Sequence, residues 1–301
     1  MPVTWGAPIP GRSLGCLFTK QTVQGTAVTP ATATGARFRV TSEGGVVAVW
    51  ALGTKSPILM KPGETQVSWE LTLPNVQNSD LITYISRNAG GELDWLTLGF
   101  GVKFDGTGTP TQWAWQVQDC KIARARLRLS AKGALEATLS GIGGLITELT
   151  SFTPANETAD YPFWGHEATL LRAGSAYEVI EWTEEVDHNV LVEWVFGTTA
   201  APTTFPRGWR YQTEGNEMIS GSFTVRQKSG INLQAGTVVT FGDGATTGGS
   251  ATRLLLTSRQ SGGNTLSFTY TGMIFPDEAF EGGPDGAAFT VPYLATSRVL
   301  A

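Results

Sequence analysis

Apolar and polar residues alternate over short stretches of this chain, and helical spacing is rare. Across residues 63–73 (GETQVSWELTL), Val67, Trp69, Leu71 and Leu73 fall on one face and Ser68, Glu70 and Thr72 on the other. That is the pattern of a strand buried on one side. A near copy returns 152 residues later at 215–225 (GNEMISGSFTV), with Ile219, Gly221, Phe223 and Val225 in the apolar phase and Ser220, Ser222 and Thr224 in the polar one. The offset is half of the 301-residue length, which reads as a duplicated domain with one copy of the strand in each half.

The same alternation predicts strands over 16–19, 37–41, 46–52, 112–130, 135–142, 177–182, 190–196, 254–257, 266–275 and 289–294, a strand pair over 93–104 and a strand over 166–171. Within 112–130, Trp113, Trp115 and Val117 share a face. Further on, Ala123, Ala125, Leu127 and Leu129 alternate against Arg124, Arg126 and Arg128, so three arginines line one side. Trp69, Trp115 and Trp194 fall in the apolar phase and are expected in the core. Asn78-Ser79-Asp80 is suited to cap a short helix carrying Leu81, Ile82, Tyr84 and Ile85. Residues 1–35 read as an extended arm, 105–110 and 240–252 as glycine-rich loops, 281–286 as a turn, and 150–164 as the connection between halves. The expectation is a mainly β protein of two domains, 1–157 and 158–301.

Composition agrees with strands and tight turns: 37 glycines, 41% hydrophobic and only 16% charged residues. The net charge of −5 is uneven, with 13 basic against 11 acidic residues up to position 157 and 8 against 15 beyond it. Such halves suit head-to-tail self-association, whereas a protein that grips nucleic acid would be basic overall. No apolar run is long enough to span a bilayer, and the start, Met-Pro-Val-Thr-Trp, lacks the order of a signal peptide, so the chain is expected in the cytoplasm without a membrane. Cys16 and Cys120 are expected as buried free thiols, and Asn156-Glu157-Thr158 as a chance match to a glycosylation site.

Candidate chemistry is sparse. His166 and His188 lack a second ligand at metal spacing, no nucleophile elbow occurs, and Gly242-Asp243-Gly244 lacks the lysine and helix of a phosphate loop. The acidic run Glu184-Glu185-Val186-Asp187 is where a glycosidase pair would be sought, but adjacent acids more often form a solvated face. The expectation is no enzyme, no cofactor and no metal.

The segment Gly25-Thr26-Ala27-Val28-Thr29-Pro30, the strand at 63–73 with a short helix after it, Asp119-Cys120-Lys121-Ile122 leading to Leu127-Arg128-Leu129, and LEATLSG at 135–141 together resemble the tail tube proteins of long-tailed bacteriophages. Phe163-Trp164-Gly165, Ser220-Gly221-Ser222-Phe223 and the region 257–293 are similar to the same fold repeated. The resemblance implies two tandem tail-tube-like β-sandwich or barrel domains, each with one short flanking helix. It also implies self-assembly into rings, stacked as a hollow virion tail tube made in the host cytoplasm. Three copies would give a pseudo-hexameric ring, and a ring of six is the alternative. Implied partners are a tape-measure protein in the lumen, tail tip and terminator proteins, and genome DNA that passes without specific binding.

Ser68, Glu70, Thr72, Ser220, Ser222 and Thr224 are the candidates for the lumen lining. Arg124, Arg126 and Arg128 are assigned to a subunit contact instead, because arginines in the lumen would retard DNA. A tail hub or distal tail ring, and a carbohydrate-binding β-sandwich, are the competing classes.

Overall fold

The computed structural model describes residues 14–25, 28–30, 32–34, 37–49, 59–76, 80–103, 112–150, 152, 162–172, 175–177, 179–193, 211–226, 252–257, 265–271, 273, 279–283 and 286–300. The expectations for 1–13, 50–52, the Asn78-Ser79 cap, 104–110, 153–161 with the match at 156–158, Trp194 to Phe196, 240–251 and 274–275 lie outside these. The fold is mainly β with antiparallel sheets. Its elements are β1 (Leu14–Lys20), β2 (Thr32–Thr34), β3 (Arg37–Val49), β4 (Leu59–Leu73), α1 (Asp80–Thr83), β5 (Leu96–Lys103), β6 (Gln112–Ser130), β7 (Glu136–Gly143), β8 (Leu145–Glu148) and β9 (Thr169–Arg172). They continue as β10 (Ser175–Tyr177), β11 (Val179–Asp187), β12 (Val190–Glu193), β13 (Tyr211–Glu214), β14 (Met218–Arg226), β15 (Thr252–Thr257), β16 (Thr265–Thr271), β17 (Ala279–Gly283), β18 (Gly286–Ala295) and β19 (Ser297–Leu300). A 3-10 turn, Gly165–Glu167, precedes β9.

Strand β6 organises the whole. Its first part pairs with β5 and β8, and its second part with β7 and β11. One strand thus belongs to two sheets, and the change occurs at Asp119, whose φ of 54° is a left-handed conformation that a short, locally bonded side chain tolerates. Asp119 Oδ1 accepts from Gln21 Nε2 (2.9 Å) and the Gly25 amide (2.8 Å), while the Asp119 amide donates to Gln21 Oε1 (2.7 Å).

Beyond that corner a long sheet runs β3-β4-β7-β6-β11-β14-β18-β17, and before it β2-β1-β5 continue from β6. A separate sheet, β10-β9-β15-β16-β19, lies with the second half. One core cluster unites all three layers: Trp69, Leu71, Leu127, Trp182 and Phe223 from the long sheet, Phe18 and Leu98 from β1 and β5, Leu81, Ile82 and Ile85 around α1, and Phe268 and Tyr270 from β16. Ring contacts mark the joins, with Phe38–Phe100 at 5.4 Å between β3 and β5 and Trp182–Phe268 at 5.0 Å between β11 and β16.

The two copies of the repeated strand, β4 and β14, lie in this one long sheet. In the β4–β7 pair, Trp69 is opposite Gly141 and Leu71 opposite Leu139. In the β14–β18 pair, Gly221 is opposite Tyr293 and Phe223 opposite Val291. Every one of these four partners in the second pair stands 152 positions after its counterpart in the first, so the register is repeated along with the sequence. The β6–β11 pairing, with Arg128 opposite Thr183, carries the sheet across from the first half to the second.

Some elements differ from expectation. The described part, 37–49, of the two strands expected at 37–41 and 46–52 is a single β3 with a register shift between Gly44 and Val46, because a bulge absorbs the break in alternation. The pair expected over 93–104 is one strand, β5. The strand expected from His166 begins at Thr169, after the 3-10 turn. Of the turn expected at 281–286, residues 281–283 belong to β17 and Gly286 begins β18, with Gly283 opposite Gly286. Trp115, expected in the core, is 39% exposed and Trp113 is 52% exposed, since this end of β6 runs out beyond the packed layers. Trp115 instead stacks on Phe100 at 6.1 Å.

Candidate functional site

In an antiparallel sheet, residues directly opposite one another point to the same side. Following the register across the long sheet therefore assembles its outer face row by row. One row reads Arg37, Thr72, Thr138, Arg126, Glu185, Ser220 and Leu294. The next reads Arg39, Glu70, Ser140, Arg124, Asp187 and Met218, and on the other side lie Glu136, Arg128, Thr183, Ser222 and Pro292. Ser68 and Thr224 extend the same face along β4 and β14.

All six lumen candidates, Ser68, Glu70, Thr72, Ser220, Ser222 and Thr224, are thus on one face, and so are Arg124, Arg126 and Arg128. The sequence reading put the two sets on different surfaces. Parity along each strand was legible, but the register that brings strands 50 or more residues apart into rows was not.

The arginines are exposed, with side chains 55, 67 and 60% accessible in chain order, and each is paired within the chain. Arg124 and Arg126 both donate to Glu185, the latter from Nη2 to Oε2 at 2.9 Å, and Arg128 Nε donates to Glu181 Oε1 at 2.8 Å. Glu185 bridges two guanidinium groups on alternate residues of β6. Exposed pairs of this kind stabilise by only about 0.2–1 kcal/mol each, so their main effect is on the charge that the face presents. Hydroxyl pairs fill the neighbouring positions: Thr183 with Ser222 at 2.9 Å and Thr224 with Thr290 at 3.0 Å. Towards β3 the face dips into a shallow depression lined by Arg39, Thr41, Ser68, Glu70, Ser140 and Ile142.

Alternation splits the acidic run. Glu185 and Asp187 point outward, while Glu184 is 1% exposed in the core, where it is paired with Arg298 of β19 and accepts from Tyr270 Oη. The expectation of a solvated acidic face therefore fails at Glu184. Arg298 Nη2 also donates to Ser86 Oγ (3.0 Å), and Tyr293 Oη accepts from Trp182 Nε1 (3.1 Å). Burial, and then the charge of Glu184, push the Tyr270 and Tyr293 hydroxyls well above the usual tyrosine range, so both stay neutral donors. This cluster binds the last strand to β11.

A second polar cluster ties α1 to the approach of β14. His188 is fully buried, with Nε2 hydrogen-bonded to the Ile85 carbonyl at 2.8 Å and Nδ1 3.2 Å from Glu217 Oε2 without the geometry of a hydrogen bond. Glu214 accepts from Arg87 (2.7 Å), the Leu93 amide (3.0 Å) and Lys121. Burial raises the Asp119 carboxyl, offset in part by the hydrogen bonds from Gly25 and Gln21. Cys16 and Cys120 are buried free thiols. His166 is exposed beside Trp164. Among the described residues no three His, Cys, Asp or Glu side chains converge in a way that would hold a metal ion, and no helix is long and apolar enough to cross a membrane.

Of the two acids that engage the arginines, Glu185 was named in the sequence only as part of the acidic run 184–187, and Glu181 was not singled out, its only signal being alternation through 181–187. No family model matches the chain, and no curated protein matches it either.

Proposed function

We propose that the chain is a structural protein of a phage tail, assembling into stacked rings that form a hollow tube for the genome. In this reading residues 1–157 and 158–301 are two tandem tail-tube-like β domains, flanked by α1 and by the Gly165–Glu167 turn region. The observation that carries it is the repeated pair: β4–β7 and β14–β18 share register at one offset within a single sheet. In this reading the pairing of β6 with β11 is the edge-to-edge junction of two equivalent units. The same kind of junction between copies, β17 of one against β3 of the next, would continue the sheet into a closed barrel and leave no free edge.

The outer face suits a channel wall. Among the described side chains, its hydroxyls and its mixed charges, Arg37, Arg39, Arg124, Arg126 and Arg128 against Glu70, Glu136, Glu181, Glu185 and Asp187, give neither sign an excess. A balanced surface lets a polyanion slide where a basic one would hold it. The protein in this role is not an enzyme, needs no cofactor, and meets tape-measure, tip and terminator proteins as partners in the virion.

Negative-stain electron microscopy of the concentrated protein tests this. Stacked rings or tubes are expected, with three-fold symmetry if each chain supplies two units and six-fold if one unit decorates the outside. A single unstacked ring would identify a tail hub component, and monomers at every concentration and salt would count against the proposal. The exposure of Trp113 and Trp115 favours a second reading, carbohydrate binding, which quenching of tryptophan fluorescence by glycans would reveal in the monomer.

A further inference from the structure

We infer that Glu181 and Glu185 mask a latent phosphate-binding ridge, and that these two carboxylates decide whether the outer face ignores or grips nucleic acid. The inference rests on reading this face as the one turned to the genome, but it concerns a property of the isolated chain.

Strand geometry sets Arg124, Arg126 and Arg128 in a line with a spacing of about 6.8 Å, all on one side of β6 and all exposed. Guanidinium groups so arranged are the usual partners of phosphates, which they bind through paired N–H donors. Here those donors are already turned sideways along the sheet: Glu185 engages Arg124 and Arg126, and Glu181 engages Arg128. The two acids sit on the adjacent strand, β11, two alternations apart, which is the spacing needed to serve three arginines on β6. Asp187 lies across from Arg124 as well, but its Oδ1 accepts from the Asn189 amide at 2.8 Å. Glu136, across from Arg128 on the far side, has no hydrogen bond to it among those described. The masking therefore falls to Glu181 and Glu185. Because exposed ion pairs are weak, the mask is electrostatic: it offsets the charge of the ridge and occupies at least one donor group on each arginine, with little effect on the fold.

The test is E181Q/E185Q in the full chain, with binding of a short mixed-sequence DNA duplex followed by fluorescence anisotropy across salt concentrations. Wild-type protein should show no salt-dependent binding. The double variant should bind with a slope of log affinity against log salt near −2.7 if three phosphates are engaged, so that raising salt from about 50 to about 200 mM weakens it about 40-fold. Adding R124A/R126A/R128A to the double variant should abolish the gained affinity. Equal affinity of wild type and double variant, or gained affinity that survives loss of the arginines, would overturn the inference. Far-ultraviolet circular dichroism of each variant checks that the fold is kept. Microscopy separates the two ideas: tubes without gained DNA binding remove the mask alone, whereas gained binding without tubes removes the tube reading alone.

Discussion

Gly221 lies directly across the sheet from Tyr293, and the pair is the mirror in size of Trp69 across from Gly141. In each repeat one aromatic ring occupies the space that a missing side chain leaves on the neighbouring strand, but the ring has changed strands between the copies. A Cβ at Gly221 would stand 2.2 Å from the Thr183 carbonyl oxygen and 2.5 Å from Tyr293 Oη; one at Gly141 would stand 2.5 Å from the Trp69 ring.

Gly221→Ala should therefore destabilise the protein by at least about 1–3 kcal/mol, because the nearest atom is backbone and cannot swing aside. A urea midpoint unchanged from wild type would show that β11 and β14 separate more easily than their register implies.

Arg298→Met leaves Glu184 buried without its ionic partner, and a loss of about 3–5 kcal/mol is expected. The double variant R298M/E184Q should recover a large part of it, since a neutral amide still accepts from Tyr270. If single and double variants unfold at the same denaturant concentration, the pair contributes nothing beyond packing.

Glu217 gives the acid limb of stability. Burial alone would raise its carboxyl, but the nearness and charge of His188, with the charges of Arg298 and Arg87, outweigh it and lower the group from the ordinary carboxylate value. A carboxyl lowered on folding adds stability above its unfolded value of about 4.3, and that stability is lost as pH falls through the lower folded value. E217Q should flatten this part of the stability curve, and an acid limb of unchanged steepness would assign it to other groups.

Burial pushes the Cys16 thiol up to about 12 and Cys120 well above its usual value, the latter also through the charge of Asp119. Neither should react with a thiol reagent in the native protein at neutral pH, and both should react after denaturation. Rapid labelling under native conditions would mean that β1 opens from β5.

Much of this fold could be read from residue order. Alternation located β4, β6 and β14, and it sorted Trp69 inward and Arg124, Arg126 and Arg128 outward, because period two is a local property of each strand. What an outward arginine meets is not local. Glu185 reaches Arg126 across 59 residues, and only the β6–β11 register brings them together. Trp115 shows the converse failure, since phase says which way a side chain points but not how far the opposing layer extends. Asp119 gave no warning either: a single left-handed residue turns β6 from one sheet into another without breaking its run of strand residues.

That turn has a mechanical consequence. A strand hydrogen-bonded on both flanks has no loose margin from which to peel, and β6 is held in this way at two places, between β5 and β8 over 115–118 and between β7 and β11 over 124–128. It can be released only by shearing two sheets at once. Its amides should accordingly be the last to exchange with solvent, and a pull on either end of the molecule would be shared between both layers before any one of them unzips.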